Sequence, residues 1–324
     1  MDSLKKIKKP LSGHLAEFNK VFRTSVKSNT ALLDIIMQYI LKTRGKQMRP
    51  IIVLYSAGLT GKISQKTYRA ATLVELLHTA TLVHDDVVDD SYQRRNRFSI
   101  NAIWKNKVAV LAGDFLLSRG MLLAVENNDY KMLEIVSRAV KEMSEGELLQ
   151  IEKARKLDID EEVYFDIIRR KTASLLASCF AVGAASADAD EATISKMYKI
   201  GENLGMAFQI KDDLLDFGEG DDIGKPTGID IKEKKMTLPL IYLLNNADKK
   251  EKRRYINIVK NHSNDKQKVN LLTDRVKQSG GMEYTIKKMT GFEKEAIRLL
   301  ETFPENESQT MLKEIIRFTI DRKK

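Results

Sequence analysis

Asp85-Asp86-x-x-Asp89-Asp90 closes a long apolar run, Leu73-Val-Glu-Leu-Leu-His78-Thr-Ala80-Thr81-Leu-Val-His84. Asp85 and Asp89 are four residues apart, so on a helix they share one face. His78 lies seven residues before Asp85, two turns back on much the same face. Carboxylates at the ~5–6 Å spacing of helix neighbours repel by up to roughly 3 kcal/mol per pair at an effective dielectric of about 20. Such a cluster calls for a positive partner. Carboxylates and water are what Mg²⁺ prefers, often shared with a substrate phosphate. One cluster alone is explained as well by a solvated helix end. A second copy changes that balance. Phe208-Gln209-Ile-Lys-Asp212-Asp213-Leu-Leu-Asp216 repeats the spacing after another apolar approach. Gln209, Asp212 and Asp216 fall at i, i+3 and i+7, one helix face. Two acid clusters, each followed by basic residues, point to a metal-bridged polyanion.

The basic residues that could meet it are spread along the chain. Lys46 and Arg49 flank a turn at a helix start, where free N–H groups and the dipole favour anions. An ordinary basic surface loop explains them equally. Arg94 and Arg95 follow the first acids within two turns. They either neutralise those acids or bind phosphate, whose geometry suits guanidinium. Lys171, Lys225 and Lys235 are unremarkable singly. Together the acids and bases describe a site for Mg²⁺ and diphosphate. Metal and cationic residues stabilise charge building on a departing diphosphate. Breaking that C–O bond leaves a carbocation, which must be shielded from water in an apolar cavity. The run before Asp85 is apolar enough to line one.

Other metal centres fit worse. Asp216 to Thr227 fails as a calcium loop, because Asp221 stands where Gly is required and Thr227 where Glu is required. Glu75-Leu-Leu-His78 matches the Glu-x-x-His of di-iron bundles, but that site needs a second copy. None of His14, His84 and His262 has Glu three residues before it. A satisfied structural histidine therefore competes with a functional one at His78. His84 could simply orient the acids.

The elements that must position these residues read as helices. No proline occurs between Pro50 and Pro226, and hydrophobic content is 43% over 324 residues. Lys5 to Pro10 reads as a basic, mobile lead-in, and Leu32 to Leu41 carries a helical pattern. Residues 44–50 read as a loop, with Pro50 at the first position of the next helix. Gln65 to Asp90 is the long helix, and 91–101 a polar loop. Val108 to Val125 reads as a buried helix broken at Gly113-Asp114 and Gly120. Lys131 to Ala154, Glu161 to Ala187 and Ile194 to Phe217 follow as helices. Gly218 to Asp230 reads as a loop. Met236 to Asn245 resumes helix, and the remainder alternates apolar and charged residues at helical spacing. No linker interrupts the pattern, so the expectation is one all-α domain over residues 1–324.

The lone cysteine, Cys179, cannot form an intramolecular disulfide, which fits a reducing cytosol. It reads as a small core residue. No stretch reaches the 18 or so uncharged apolar residues of a membrane span. The net charge of +10 leaves three readings: nucleic acid, an anionic membrane surface, or a polyphosphate substrate. Aromatic content of 7% with one Trp, and no reading motif, rank nucleic acid last.

Taken in order, these motifs resemble the trans-type polyprenyl (isoprenyl) diphosphate synthases along nearly the whole chain. Asp85-Asp86-x-x-Asp89 with Arg94-Arg95 matches the family's first aspartate-rich motif. Asp212-Asp213-x-x-Asp216 within Phe-Gln-Ile-Lys-Asp-Asp matches the second. Glu145-Gly146-Glu147, Lys171-Thr172, Gly224-Lys225 and Lys235-Met-Thr-Leu-Pro239 stand in the family's order. The resemblance implies an all-α helical bundle around a central cavity, usually a cytoplasmic homodimer. It implies head-to-tail condensation of isopentenyl diphosphate onto an allylic diphosphate, with about three Mg²⁺ ions per active site, the metal role being the Lewis-acid one.

By this carry-over Asp85, Asp89 and Asp212 hold Mg²⁺, supported by Asp86, Asp213 and Asp216. Arg94, Lys171, Thr172, Gln209, Lys225 and Lys235 would bind the allylic diphosphate. Lys46, Arg49, His78 and Arg95 would bind isopentenyl diphosphate. The departing diphosphate would remove the proton. Arg44 and Gln47 replace a Gly and an Arg of the family's loop, and Asn96 stands where Gly usually follows the arginines. These departures bear on isopentenyl affinity.

Product length has a physical argument. Thr81 and Ala80, four and five residues before Asp85, are small. A chain growing down this helix meets no aromatic floor in the first turn, which predicts a product beyond fifteen carbons, of octaprenyl type. Each further turn adds ~5.4 Å, so Leu77, Val74 or a residue of helix 108–125 sets the stop. Two rivals remain: a terpene cyclase, which carries a different second motif, and a non-catalytic subunit of a heteromeric synthase. Peripheral membrane contact is a further expectation.

Overall fold

The computed structural model describes residues 2–43, 45–94, 97–156, 160–218 and 229–321. It is all-α, as the periodicity predicts. The chain runs α1 (Asp2–Lys8), α2 (Ser12–Ser25), α3 (Ala31–Lys42), α4 (Met48–Thr60), α5 (Gln65–Val88), α6 (Ile100–Glu126) and α7 (Tyr130–Lys156). After α8 (Glu161–Ile168) comes a five-residue π turn, Arg169–Ala173, that leads into α9 (Ser174–Ser186). Then come α10 (Glu191–Asp216), α11 (Ile229–Lys232), α12 (Leu238–Asn246), α13 (Lys249–Asn261), α14 (Lys266–Gln278), α15 (Gly281–Leu300) and α16 (Glu307–Ile320). Two short strands, β1 (Gln93–Arg94) and β2 (Arg97–Phe98), pair antiparallel with Arg94 opposite Arg97.

The chain forms two compact units. Unit 1 comprises Met1–Val140, Ser178–Tyr198 and Phe303–Glu314, and unit 2 comprises Lys141–Ala177, Lys199–Thr302 and Ile315–Lys324.

In unit 1, α5 packs along α6 and also against α4 and α2. Its inner positions Leu73, Val74, Leu76, Leu77 and Ala80 are buried. The Ser64 N–H donates to Thr67 Oγ1 at 3.1 Å, which closes the helix start. Residues 178–186 of α9 are buried almost throughout, as an Ala/Ser-rich run allows, and Cys179 is fully enclosed with its thiol pushed up to about 12 by burial.

Several expectations need correction in unit 1. Lys5 to Pro10 belongs to an ordered helix and turn: Ile7 and Leu11 are buried, and the Tyr55 hydroxyl donates to the Ile7 carbonyl at 2.5 Å. Helix α4 begins at Met48, two residues before Pro50, because Gln47 takes the left-handed conformation (φ 59°) and its side chain donates to Asn19 Oδ1 at 2.9 Å. The helix containing Gly113 and Gly120 is continuous through both. They are points of close approach, where the His84 ring lies over Gly113, and Leu73 and Leu77 lie over Gly120. The irregular residue is Lys105 (φ 72°, ψ 162°). Nor is this helix buried: Ile103, Val110, Leu111, Met121, Leu122 and Val125 are exposed. By length and composition α6 could cross a membrane, with 33% of its most apolar window buried; Asp114 and Arg119 interrupt it.

In unit 2, α12 packs against α15, α14, α8 and α13. Pro239 occupies the first turn of α12, where its missing N–H is harmless. Glu161 at the start of α8 accepts from the Tyr284 hydroxyl at 2.7 Å and from Lys288 at 2.8 Å, fastening α8 to α15. These bonds outweigh burial and hold its carboxyl below the ordinary value.

Candidate active site

Both acidic clusters sit where a helix ends. Asp85 and Asp86 lie in the last turn of α5, which Asp89 caps, and that turn holds no basic residue. Asp212, Asp213 and Asp216 close α10, whose last turn also lacks one. A helix C-terminus already carries negative partial charge and repels anions. Carboxylates placed there are opposed by the helix dipole, which a cation would offset.

In the first cluster, Asp85 and Asp89 are exposed and Asp86 is buried. Arg94 closes on Asp86, with Nε 2.9 Å and Nη2 2.8 Å from Oδ1. Asn101 Nδ2 and the Ser91 N–H donate to the Asp86 carbonyl at 3.1 and 2.9 Å. Burial nevertheless outweighs the arginine and leaves the Asp86 carboxyl raised. Arg94, carried on β1, therefore neutralises at least one acid, the first of its two readings. His84 does not orient the acids. Its Nε2 lies 3.2 Å from the Val110 carbonyl and 3.5 Å from Asp114 Oδ1, turned toward α6. His78 is buried inside α5, and Thr81 Oγ1 donates to its carbonyl at 2.8 Å. Lys46 is exposed and Arg49 half-buried at the start of α4. Ala80 is fully buried and Thr81 half-buried, while Leu77 meets Gly120 of α6.

The second cluster is more enclosed. Asp212 is half-buried, Asp213 and Asp216 buried. Asp213 Oδ2 accepts the Tyr164 hydroxyl at 2.7 Å and the Leu238 N–H at 3.3 Å, and Oδ1 accepts Gln209 Nε2 at 3.4 Å. Burial pushes Asp213 up to about 7 against these bonds. Asp216 Oδ2 accepts the Asp230 N–H at 3.2 Å. Burial, then the charge of Asp216, push Asp230 up to about 6. Lys235 Nζ lies 2.5 Å from Glu233 and 3.5 Å from Asp230. Burial works against its ammonium, but these carboxylates raise it overall.

Lys171 and Thr172 ride on the π turn, a feature that recurs at functional positions. Lys171 Nζ contacts Glu147 Oε2 at 2.5 Å and Gln150 Oε1 at 3.2 Å, and Thr172 Oγ1 donates to Gln209 Oε1 at 3.0 Å. Gly146 makes room for the turn, since a Cβ there would stand 2.8 Å from Arg170 Cβ and 2.9 Å from the Lys171 nitrogen. In unit 2 the structure thus joins Thr172, Gln209 and Asp213 into one network, with Lys171 next to it on the chain and paired with Glu147 and Gln150. Arg44, Arg95, Asn96, Gly224 and Lys225 lie outside the described residues. Sequence reasoning missed Tyr164, Asp230 and the π turn. Only the seven-residue interval between Tyr164 and Lys171, two helical turns, hinted at the first.

Among the described residues, no group of three or more His, Cys, Asp or Glu side chains is arranged to hold a metal ion. Asp86 and Asp213 are turned into hydrogen bonds. In each cluster the outer carboxylates are oxygen donors, the kind a hard divalent ion prefers.

Comparison with known proteins gives the class. The sequence model described as polyprenyl synthetase matches residues 30–276. The chain belongs to the polyprenyl synthetase family. It is accordingly a prenyltransferase of the polyprenyl diphosphate synthase type, and the family uses divalent metal in catalysis. It is 34% identical over 318 residues to an all-trans-nonaprenyl-diphosphate synthase (geranyl-diphosphate specific) of Rhodobacter capsulatus, covering 97% of this chain and 96% of that one. It is 32% identical over 307 residues to the octaprenyl diphosphate synthase of Escherichia coli, with 94% of each covered. The fold matches a polyprenyl synthase from Caulobacter crescentus, solved with calcium and isoprenyl diphosphate, with TM-score 0.87, 32% identity and 98% of each chain covered.

Proposed function

We propose that this enzyme condenses isopentenyl diphosphate head-to-tail onto an allylic diphosphate, with Mg²⁺, to make a trans-polyprenyl diphosphate longer than fifteen carbons. The observation that carries the metal reading is the pair of acid clusters at helix C-termini that lack basic residues. Asp85, Asp89, Asp212 and Asp216 are the carboxylates that would hold the ions, with Asp86 and Asp213 supporting. When bound, Mg²⁺ supplies Lewis-acid stabilisation of charge on the leaving diphosphate.

The chain's own residues do the rest. Arg94, Lys171, Thr172, Gln209, Lys225 and Lys235 bind the allylic diphosphate and spread its charge. Lys46, Arg49, His78 and Arg95 hold isopentenyl diphosphate. The allylic C–O bond breaks with its electron pair going to diphosphate. The isopentenyl double bond supplies the pair for the new C–C bond, and a proton leaves to the departed diphosphate. Leu73, Val74, Leu77 and Ala80 offer the apolar wall that keeps water from the cation.

The test is incorporation of radiolabelled isopentenyl diphosphate with a farnesyl starter and Mg²⁺. Extractable long-chain product is expected; folded protein with none overturns the reading. Ala80→Phe, paired with Thr81→Phe because Ala80 is packed on all sides, should shorten the product. Unchanged length in both rejects the depth argument. The active form is a homodimer in the cytoplasm. Ile103, Val110, Leu111, Met121, Leu122 and Val125 on α6 support pairing with a second copy. Leu111→Glu with Leu122→Glu should halve the sedimenting mass.

A further inference from the structure

The geometry points to Tyr164 as a positioning residue for the second acidic cluster, acting through Asp213, which serves as an anchor and not as a metal ligand. The inference rests on the proposed role of Asp212 and Asp216 as metal-holding carboxylates.

Tyr164 on α8 and Asp213 on α10 are each 4% exposed, and 2.7 Å separates the hydroxyl from Oδ2. A hydrogen bond from O–H to a carboxylate is among the strong ones. The same oxygen accepts the Leu238 N–H from the first turn of α12. The other oxygen accepts Gln209 Nε2, and Gln209 in turn accepts the Thr172 hydroxyl. A carboxylate offers about four lone-pair directions. Three donors from α8, α10 and α12 already use this one. Both directions of Oδ2 are taken, so a metal ion on that oxygen would have to displace the phenol or the Leu238 N–H and leave a buried donor without its acceptor.

The anchor matters because of helix phase. Successive residues of an α-helix are turned about 100°. Asp212 therefore points about 100° to one side of Asp213, and Asp216 about 60° to the same side, so the two share a face roughly 40° apart. Fixing the Asp213 side chain fixes the rotation of α10 about its own axis at this turn. That sets the direction of both outer carboxylates together. The bond to Leu238 fastens the segment that follows Lys235, and the path through Gln209 and Thr172 reaches the turn carrying Lys171. One enclosed carboxyl thus orients several groups that touch substrate, and Tyr164 holds that carboxyl.

The test is calorimetric titration of Mg²⁺ into the full-length protein with inorganic diphosphate, beside turnover and melting midpoint. Tyr164→Phe should weaken Mg²⁺ binding roughly 10-fold, the ordinary effect of losing an outer-shell partner. Turnover should recover as Mg²⁺ is raised, with KM for isopentenyl diphosphate unchanged. A purely structural role would lower the melting midpoint without moving the Mg²⁺ dependence, and would overturn the inference. Asp213→Asn keeps an oxygen for Tyr164 and should keep the wild-type metal count, whereas Asp212→Asn should reduce it. Tighter or unchanged Mg²⁺ binding by Tyr164→Phe, as expected if a ligand had been released, would overturn the inference. So would equal losses in Asp213→Asn and Asp212→Asn. Failure of the underlying reading looks different: wild-type protein takes up no Mg²⁺ with diphosphate, which overturns both.

Discussion

In the first acidic cluster the middle aspartate answers to a charge; in the second it answers to neutral donors. Asp86 takes both contacts from the Arg94 guanidinium, while Asp85 and Asp89 stand exposed. Asp213 takes a phenol, an amide and a backbone N–H, and Asp216 is buried beside Asp230. The spelling Asp-Asp-x-x-Asp is the same. The difference follows from burial: a half-exposed site tolerates a flexible arginine on a short hairpin, whereas an enclosed one needs short donors from packed helices. Near the second cluster, Lys235 faces both Asp230 and Glu233. The same motif can have its middle carboxylate held by a charge in one place and by neutral donors in the other.

Removing an outer carboxylate from either cluster should have the largest effect. Asp85→Asn and Asp212→Asn should each lower turnover by about 10²-fold or more, with unchanged circular dichroism. Wild-type turnover in one of them would remove that cluster from the metal site. The anchors come next. Arg94→Ala leaves the buried Asp86 carboxyl without its partner and should cost about 1–2 kcal/mol in urea unfolding, after allowance for the half-exposed guanidinium. A neutral outcome would mean that the first cluster needs no fixed counter-charge.

The pH response should separate the clusters further. Asp213 and Asp230 have folded values of about 7 and about 6 against an ordinary 3.8. From about pH 4 up to about 7 for Asp213, and up to about 6 for Asp230, the unfolded chain has released the proton and the folded chain retains it. Stability of metal-free protein is therefore fullest below about pH 4 for these groups and falls as pH rises toward 7, by up to about 1.4 kcal/mol per pH unit for each. Asp213→Asn should flatten that slope, and an unchanged slope would place the raised carboxyl elsewhere. The smallest change probes the π turn. Gly146→Ala should cost about 1–3 kcal/mol from overpacking and lower turnover, because the Cβ presses on the Lys171 backbone. A silent substitution would show that the turn yields freely.

Periodicity made the helices carrying both clusters legible: α5 ends at Val88 and α10 at Asp216, each within two residues of the expected Asp90 and Phe217. It also put the right aspartates at their ends. What it could not carry was tertiary. The partner of Asp213 lies 49 residues away, and the Leu238 N–H has no side-chain signature at all. A five-residue π turn has no spelling of its own. Gly113 and Gly120 read as helix breakers because the rings and branched side chains that press on them belong to another helix. Lys5 to Pro10 reads as a mobile lead-in because its burial rests on Ile7 and, just beyond, Leu11, and its tie is supplied by Tyr55, 48 residues on.

That tie has a practical side. Ile7 and Tyr55 are at most 2% exposed, and the phenol reaches the Ile7 carbonyl directly. A shortened expression product starting at Ser12 would uncover a greasy notch and strand a hydroxyl. It should precipitate more readily than the full-length chain, so affinity handles belong upstream of α1, on a spacer, and never in its place.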